Sequence, residues 1–221
     1  MKKLLLASII AGLSAVAAAD SFQDFNNNLY AQYQYVGNNG AQPATDLSEW
    51  GVGGTFQSKN NVWLNANAVA GDNNGDNSSN LNLAVGYAFQ FFGDENQGFQ
   101  VIPHVNFGTQ SVTYANSNGT NNPTPSGTNY SYGFGAKPEY RLLNSLKVAV
   151  DLNLIGTQSS VNGNSTQIFA FGVTPGIQYD ISKTVLLGLD YSYVANFNDN
   201  STNNNKTGNL SFVTAKVGYL F

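Results

Sequence analysis

Leu210-Ser-Phe-Val-Thr-Ala-Lys-Val-Gly-Tyr-Leu-Phe221 is the stretch on which the reading of this chain turns. Counting back from Phe221, the residues Tyr219, Val217, Ala215 and Val213 take every second position, while Gly218, Lys216 and Thr214 fill the gaps. That period belongs to a β-strand with one apolar and one polar face. An edge strand of a soluble sheet and a membrane-spanning strand both carry it, so the rest of the chain decides between them.

The opposite end supplies an address. Lys2 and Lys3 precede an apolar run, Leu4 to Val16, and Ala17-Ala18-Ala19 offers small residues for cleavage. This is the pattern of a secretory signal peptide, residues 1–19, with the mature chain starting at Asp20. The apolar run is short for a hydrocarbon core of about 30 Å, which argues against a helical span. Residues 20–221 then form one domain.

Composition narrows the class. The chain has no cysteine, which excludes a disulfide framework and thiol chemistry. Without Lys2 and Lys3 it carries 7 basic against 13 acidic residues, so it lacks the basic footprint of a nucleic-acid partner. Charged residues make up 10% of the chain, against about 25% in ordinary soluble domains. A barrel wall in lipid needs few charges, because they are costly on its outer face.

Ten segments alternate like the last one: 29–37, 48–58, 62–71, 81–92, 99–114, 129–141, 146–157, 167–180, 185–197 and 209–221. Their connections alternate in length. Asn38–Leu47, Asp72–Asn80, Ala115–Thr128, Gln158–Thr166 and Asn198–Gly208 read as long polar loops. Lys59-Asn60-Asn61, Gly93–Gly98, Leu142–Ser145 and Ile181–Thr184 read as short turns. All five long loops therefore fall on one rim. A transmembrane barrel has this asymmetry, with long extracellular loops and short periplasmic turns. An even strand number and two periplasmic termini follow. The shape of Asp20–Asn28 is left open by the sequence.

Aromatic residues sort by height along the apolar parity. Tyr33, Tyr35, Trp50, Tyr130, Tyr132, Tyr193 and Phe197 fall near the long-loop ends, and Tyr87, Phe89, Phe91, Tyr140, Tyr179, Tyr219 and Phe221 near the short turns. Two such girdles belong to a membrane barrel. Pro103, Pro138 and Pro175 sit inside strands, where β-bulges are expected to absorb them. Trp63 falls on the lumen parity.

Inward charges are the candidate site. His104, Lys137, Glu139, Arg141, Lys147, Asp151, Asp190 and Lys216 all lie on the polar parity. Buried charges persist when paired, so these eight predict an ionic layer that blocks the lumen near the short turns. Matching Val185 to Phe221 sets Asp190 opposite Lys216. In the hairpin of segments 129–141 and 146–157, either Lys137 faces Asp151 or Glu139 faces Lys147. His104 is the only histidine, and a general acid–base role would need it near the outer rim. Its height favours lumen filling. Asp72, Asn74 and Asp76 offer oxygen ligands for calcium, but the closing bidentate Glu is missing, and a solvated loop is the better reading.

The whole mature chain resembles the small, porin-like bacterial outer-membrane β-barrels, the OmpA-transmembrane and opacity-type superfamily. Signal, alternation, loop asymmetry and terminal Phe carry the resemblance. It implies a Gram-negative cell envelope, contact with outer-membrane lipid and lipopolysaccharide, and a last strand, Val217, Tyr219 and Phe221, read by the barrel-assembly machinery. It implies an all-β, up-and-down transmembrane barrel without a cofactor. That group typically has eight strands, where the alternation here gives ten. The leading functional reading is a non-enzymatic, porin-like barrel with an envelope-structural role, loops that meet an extracellular ligand, and at most a narrow or gated pore. The alternatives are a channel or uptake protein for small or apolar solutes, and an outer-membrane hydrolase. Oligomeric state is not legible.

Overall fold

A computed structural model of the protein describes residues 22–39, 47–73, 76–93, 97–113, 126–161, 164–197 and 209–221. The expected signal peptide lies outside the described residues. A single helical turn, α1 (Gln23–Asn26), leads into β1 (Asn28–Asn39), β2 (Leu47–Gln57) and β3 (Val62–Asn73). There follow β4 (Asp76–Tyr87), β5 (Phe89–Gly93), β6 (Gly98–Thr113), β7 (Ser126–Leu143) and β8 (Leu146–Val161). The chain closes with β9 (Asn164–Asp180), β10 (Val185–Asn196) and β11 (Asn209–Leu220).

β4 and β5 both pair with β6 and are parted by Ala88 alone. They form one stave, so the wall has ten. All pairings are antiparallel between sequence neighbours, and β11 returns to pair with β1 from Asn28↔Leu220 to Asn39↔Asn209. The structure is the expected closed, ten-stranded, up-and-down barrel. Closure matters in lipid, where an open edge strands backbone groups that water cannot reach.

Register sets the tilt. From Val185 the facing residues run Tyr219, Leu29, Gly54, Ala66, Leu83, Phe107, Tyr132, Gly156 and Phe169. Phe169 accepts a backbone hydrogen bond from Phe197, so the circuit re-enters the last hairpin twelve residues above its start. With about 3.4 Å per residue and 4.8 Å per strand, that stagger gives a tilt of about 40°, within the usual barrel range.

Two of the expected long loops are mostly strand. β3 and β4 pair as far as Asn73↔Asp76, and β8 and β9 as far as Val161↔Asn164. Residues 72–73, 76–80, 158–161 and 164–166 are mostly polar because they stand in water above the apolar belt. Their backbones keep pairing there, so polarity marked the membrane boundary and not the end of the strand. The prolines also differ from expectation. The β7–β8 ladder skips Lys137 and Pro138, the β9–β10 ladder skips Pro175 beside Tyr191 and Ser192, and the β6 ladder to β4 and β5 skips Pro103. Register resumes unshifted beyond each gap. A missing N–H removes bonds on one side only, and no bulge is needed. The register shifts occur elsewhere, at Gln90/Phe92 and Arg141/Leu143.

The outer wall is apolar. Leu81, Leu83, Val85, Phe107, Phe134, Leu189 and Val217 are exposed on it. Trp50, Tyr35, Tyr130 and Phe197 stand exposed towards the loop end, and Tyr87, Phe89, Phe91, Tyr179 and Tyr219 towards the short-turn end. A surface like this is stable only against lipid.

Candidate functional site in the barrel lumen

The segment whose shape the sequence leaves open forms the floor of the lumen. Phe22, just before α1, and Phe25 within it are both buried inside the short-turn end. The turn is closed by one backbone bond, Asn26 N to Phe22 O at 3.0 Å. The Phe22 ring lies where a side chain on Gly98 would stand, so glycine is required there by close approach. Arg141 lies over Phe22 and Lys147 over Phe25, each with its charge 5.8 Å from the ring centroid.

Asn26, 0% exposed, ties this plug to the wall. Its amide donates to Gln57 Oε1 at 2.7 Å and to Glu139 Oε2 at 2.9 Å, and its oxygen accepts from Lys147 Nζ at 2.5 Å. Gln57 N donates to Asn27 Oδ1, and Gln178 donates to Phe25 O. Glu139, also 0% exposed, is the hub. It meets Lys137 at 2.9 Å, Lys147 at 3.5 Å and the Gln100 amide at 2.7 Å. A carboxylate so deeply buried is tolerable only with this many donors.

A second tier of charges lies above the floor. Lys216 and Asp190 form an ion pair, and Lys216 sits over the Tyr30 ring at 4.9 Å. His104 Nε2 is 3.0 Å from Asn153 Oδ1 and 3.5 Å from Asp151, and its Nδ1 meets Ile102 O. Trp63 is buried in the lumen between His104 and Lys137.

The structure thus places the eight expected charges inward but in two tiers, and with different facings. In β10 and β11, Val185 faces Tyr219, so Asp190 faces Thr214 and Lys216 faces Gly188. The register differs by two residues from the one expected, because Phe221 lies past the strand and bonds Asn27 O instead. Parity survives a two-residue shift, so the long Lys216 side chain still reaches Asp190 diagonally. In the β7–β8 hairpin Arg141 faces Lys147 and Glu139 faces Ala149. Lys137 pairs along its own strand with Glu139. Lys147 reaches Glu139 across a diagonal.

The sequence reading passes over several inward groups. Glu49 is buried towards the loop end, bonded by Ser78 and by Gln34 at 3.0 Å. Its parity in β2 was the available signal. Gln57 and Gln100 were equally legible as inward polar positions. The plug was not, since a single helical turn leaves only Phe22 and Phe25 as a trace. Asp72 and Asp76 belong to the β3–β4 hairpin, and Asn74 lies outside the described residues. Among the described residues no group of three His, Asp or Glu side chains could hold a metal.

No protein-family model matches the chain, and no curated sequence relative does. Solved structures do. The outer-membrane protease OmpT from Escherichia coli is similar over 95% of this chain and 100% of its own, with TM-score 0.52 and 10% identity. The translocator domain of the autotransporter NalP from Neisseria meningitidis covers 100% and 95%, with TM-score 0.45 and 14% identity. Ail, the attachment invasion locus protein of Yersinia pestis, covers 88% and 96%, with TM-score 0.44 and 12% identity. At these identities the likeness speaks to the fold, that of a bacterial outer-membrane β-barrel. The apolar belt is that of a barrel that spans a lipid bilayer.

Proposed function

We propose that this barrel is a non-enzymatic member of the outer membrane whose lumen is stoppered on the periplasmic side. In this reading it contributes to the envelope as a rigid wall and offers its loops to an extracellular ligand, conducting at most through a narrow or gated path. The outer wall contacts membrane lipid and lipopolysaccharide, and the assembly machinery reads Val217, Tyr219 and Phe221.

The observation that carries the proposal is Asn26, buried in the mouth and bonded at once to Gln57, Glu139 and Lys147. A segment tied to three staves acts as a built floor. Against a hydrolytic role stands His104, whose two ring nitrogens are both engaged and which is buried inside the lumen. A proton-transfer residue must come within hydrogen-bond reach of its substrate, and this ring meets the lumen wall through Ile102 O and Asn153 Oδ1, far from the outer rim.

Planar-bilayer recording of the purified barrel tests this. The wild type should show no stable open level, and replacing Phe22, Phe25 and Asn26 together by Ala should create one. A wild type that conducts steadily at the level of this variant would overturn the proposal.

A further inference from the structure

At the short-turn end one stretch of the wall has a neighbour on one side only. The β3–β4 ladder ends at Val62↔Tyr87, and the chain turns back through Ser58–Asn61, closed by the bond from Asn61 N to Ser58 O at 2.9 Å. β5 runs on past that turn and pairs with β6, and among the described residues no strand stands on its other side. The Ala88 N–H points to that side and bonds Asn61 O at 2.8 Å. Directions alternate along an antiparallel ladder, so the N–H and C=O of Gln90, two residues further, face the open side. The edge, Phe89-Gln-Phe-Phe-Gly93, has neither charge nor proline, the usual guards against a foreign strand.

The same stretch stands clear of the barrel mouth. All five residues are exposed, including Gln90, which shares its inward parity with fully buried Ala88. The register shift between Gln90 and Phe92 turns two consecutive rings to the outer side. Phe91 and Phe92, 67% and 51% exposed, both lean on Phe99, at 5.6 and 6.1 Å between ring centroids. Tyr140 continues the cluster, 6.2 Å from Phe92. Phe91 lies four residues past Tyr87, which sets it roughly 10 Å lower on a strand tilted by about 40°. A tyrosine at that depth would offer a hydroxyl to headgroups and water, and these phenylalanines have none. Lys59 flanks the open edge at the tip of the neighbouring turn. It is exposed and has no ion-pair partner among the described residues.

We propose that the β5 edge is a docking site for an extended, apolar peptide segment of another protein, one that carries an acidic group at the segment's C-terminal end. Strand addition at Gln90 supplies the backbone pairing, and Phe91, Phe92 and Phe99 receive the segment's apolar side chains. A segment that takes up the line of β3 below the turn runs antiparallel to β5, so its C-terminal end meets the turn tip and Lys59. A second copy of this chain does not fit the edge. Copies in one membrane are related by an axis along the bilayer normal, and a two-fold along it would cross two strands tilted by about 40° at roughly 80° instead of laying them side by side. In the orientation proposed above, the edge faces the periplasm. The site takes its side of the membrane from that reading, and binding to the purified barrel does not depend on it.

The test uses the full-length barrel in lipid nanodiscs and a fluorescent hexapeptide of alternating valine and threonine with a free C-terminal carboxylate, followed by anisotropy. The C-terminal amide of this peptide and a version with proline at its centre separate charge from backbone pairing. Saturable binding of the free acid is expected, about two- to fivefold tighter than the amide, with no binding of the proline peptide at the same concentrations. Lys59→Gln should make acid and amide equal. Phe91→Ala together with Phe92→Ala, checked for folding by heat-modifiable gel migration, should weaken the free acid by about tenfold or more. No saturable binding beyond that of empty discs would overturn the proposal and leave the rings to lipid. Equal affinity of the wild type for acid and amide, equal binding of the proline peptide, or undiminished binding to the folded double-alanine barrel would overturn it as well. So would a Gln90→Cys barrel that forms disulfide-linked dimers in the membrane, since that would place a second copy on the edge.

Discussion

Asn26 in α1 and Glu139 in β7 stand 113 positions apart and share a 2.9 Å hydrogen bond inside the barrel mouth. Glu139 in turn holds Lys137 and Lys147, so one carboxylate joins the plug to the cations of the wall. Removing it takes from two lysines the carboxylate they touch. Glu139→Ala should destabilise the folded barrel by about 3–5 kcal/mol, the cost of breaking a buried ion pair. Glu139→Gln keeps an acceptor for Asn26 and should lose less. Urea titration read by heat-modifiable migration measures both, and equal stability of Glu139→Ala and wild type would refute the hub role.

Lys216 and Asp190 form the second test. Each side chain is 23% exposed, so their pair is partly screened. Lys216→Met should cost about 1–3 kcal/mol, because it strands Asp190. Combining it with Asp190→Asn should be milder than Lys216→Met alone. A double-mutant cycle in the same denaturation assay decides, and additive losses would show that the two residues do not couple.

Gly176 faces Asp190, and a Cβ there would overlap the Asp190 carboxylate. Gly176→Ala should therefore disturb the Lys216–Asp190 pair without touching either partner. The expected loss is about 1–3 kcal/mol, and it should shrink in a Lys216→Met, Asp190→Asn background. A loss of the same size in both backgrounds would place the strain elsewhere.

Phe221 lies past the end of β11, held by a 3.1 Å backbone bond to Asn27 O. That single bond gives the residue little weight in the finished barrel. Deleting Phe221 should lower the amount of protein reaching the outer membrane more than it lowers the stability of refolded barrel. Quantifying membrane-inserted protein beside its urea midpoint separates the two, and normal insertion of the deletion variant contradicts an assembly role.

The fold was legible because parity and loop asymmetry are properties of the whole chain. The terminal strand, read as 209–221, is observed as Asn209–Leu220, and each inward charge kept its parity even where register moved by two. Local turn chemistry was less legible. Register in the last hairpin depended on whether Phe221 belonged to the strand, and the hairpin tops at Asp76 and Asn164 depended on strands continuing into water. The plug was least legible. Its stability comes from Gln57, Gln100, Glu139 and Lys147, which are distant in sequence, and a single helical turn has no stability of its own.

A plug at α1 that closes the lumen from the periplasmic side is open to direct measurement. The chain has no cysteine, so Thr174→Cys, on the lumen wall, supplies a single thiol above the floor. A membrane-impermeant maleimide applied from the periplasmic side should label it slowly in the otherwise wild-type barrel. Replacing Phe22, Phe25 and Asn26 by Ala should speed that labelling by about tenfold or more, equivalent to removing a barrier of roughly 1.4 kcal/mol. Equal labelling rates with and without the plug residues would contradict the account.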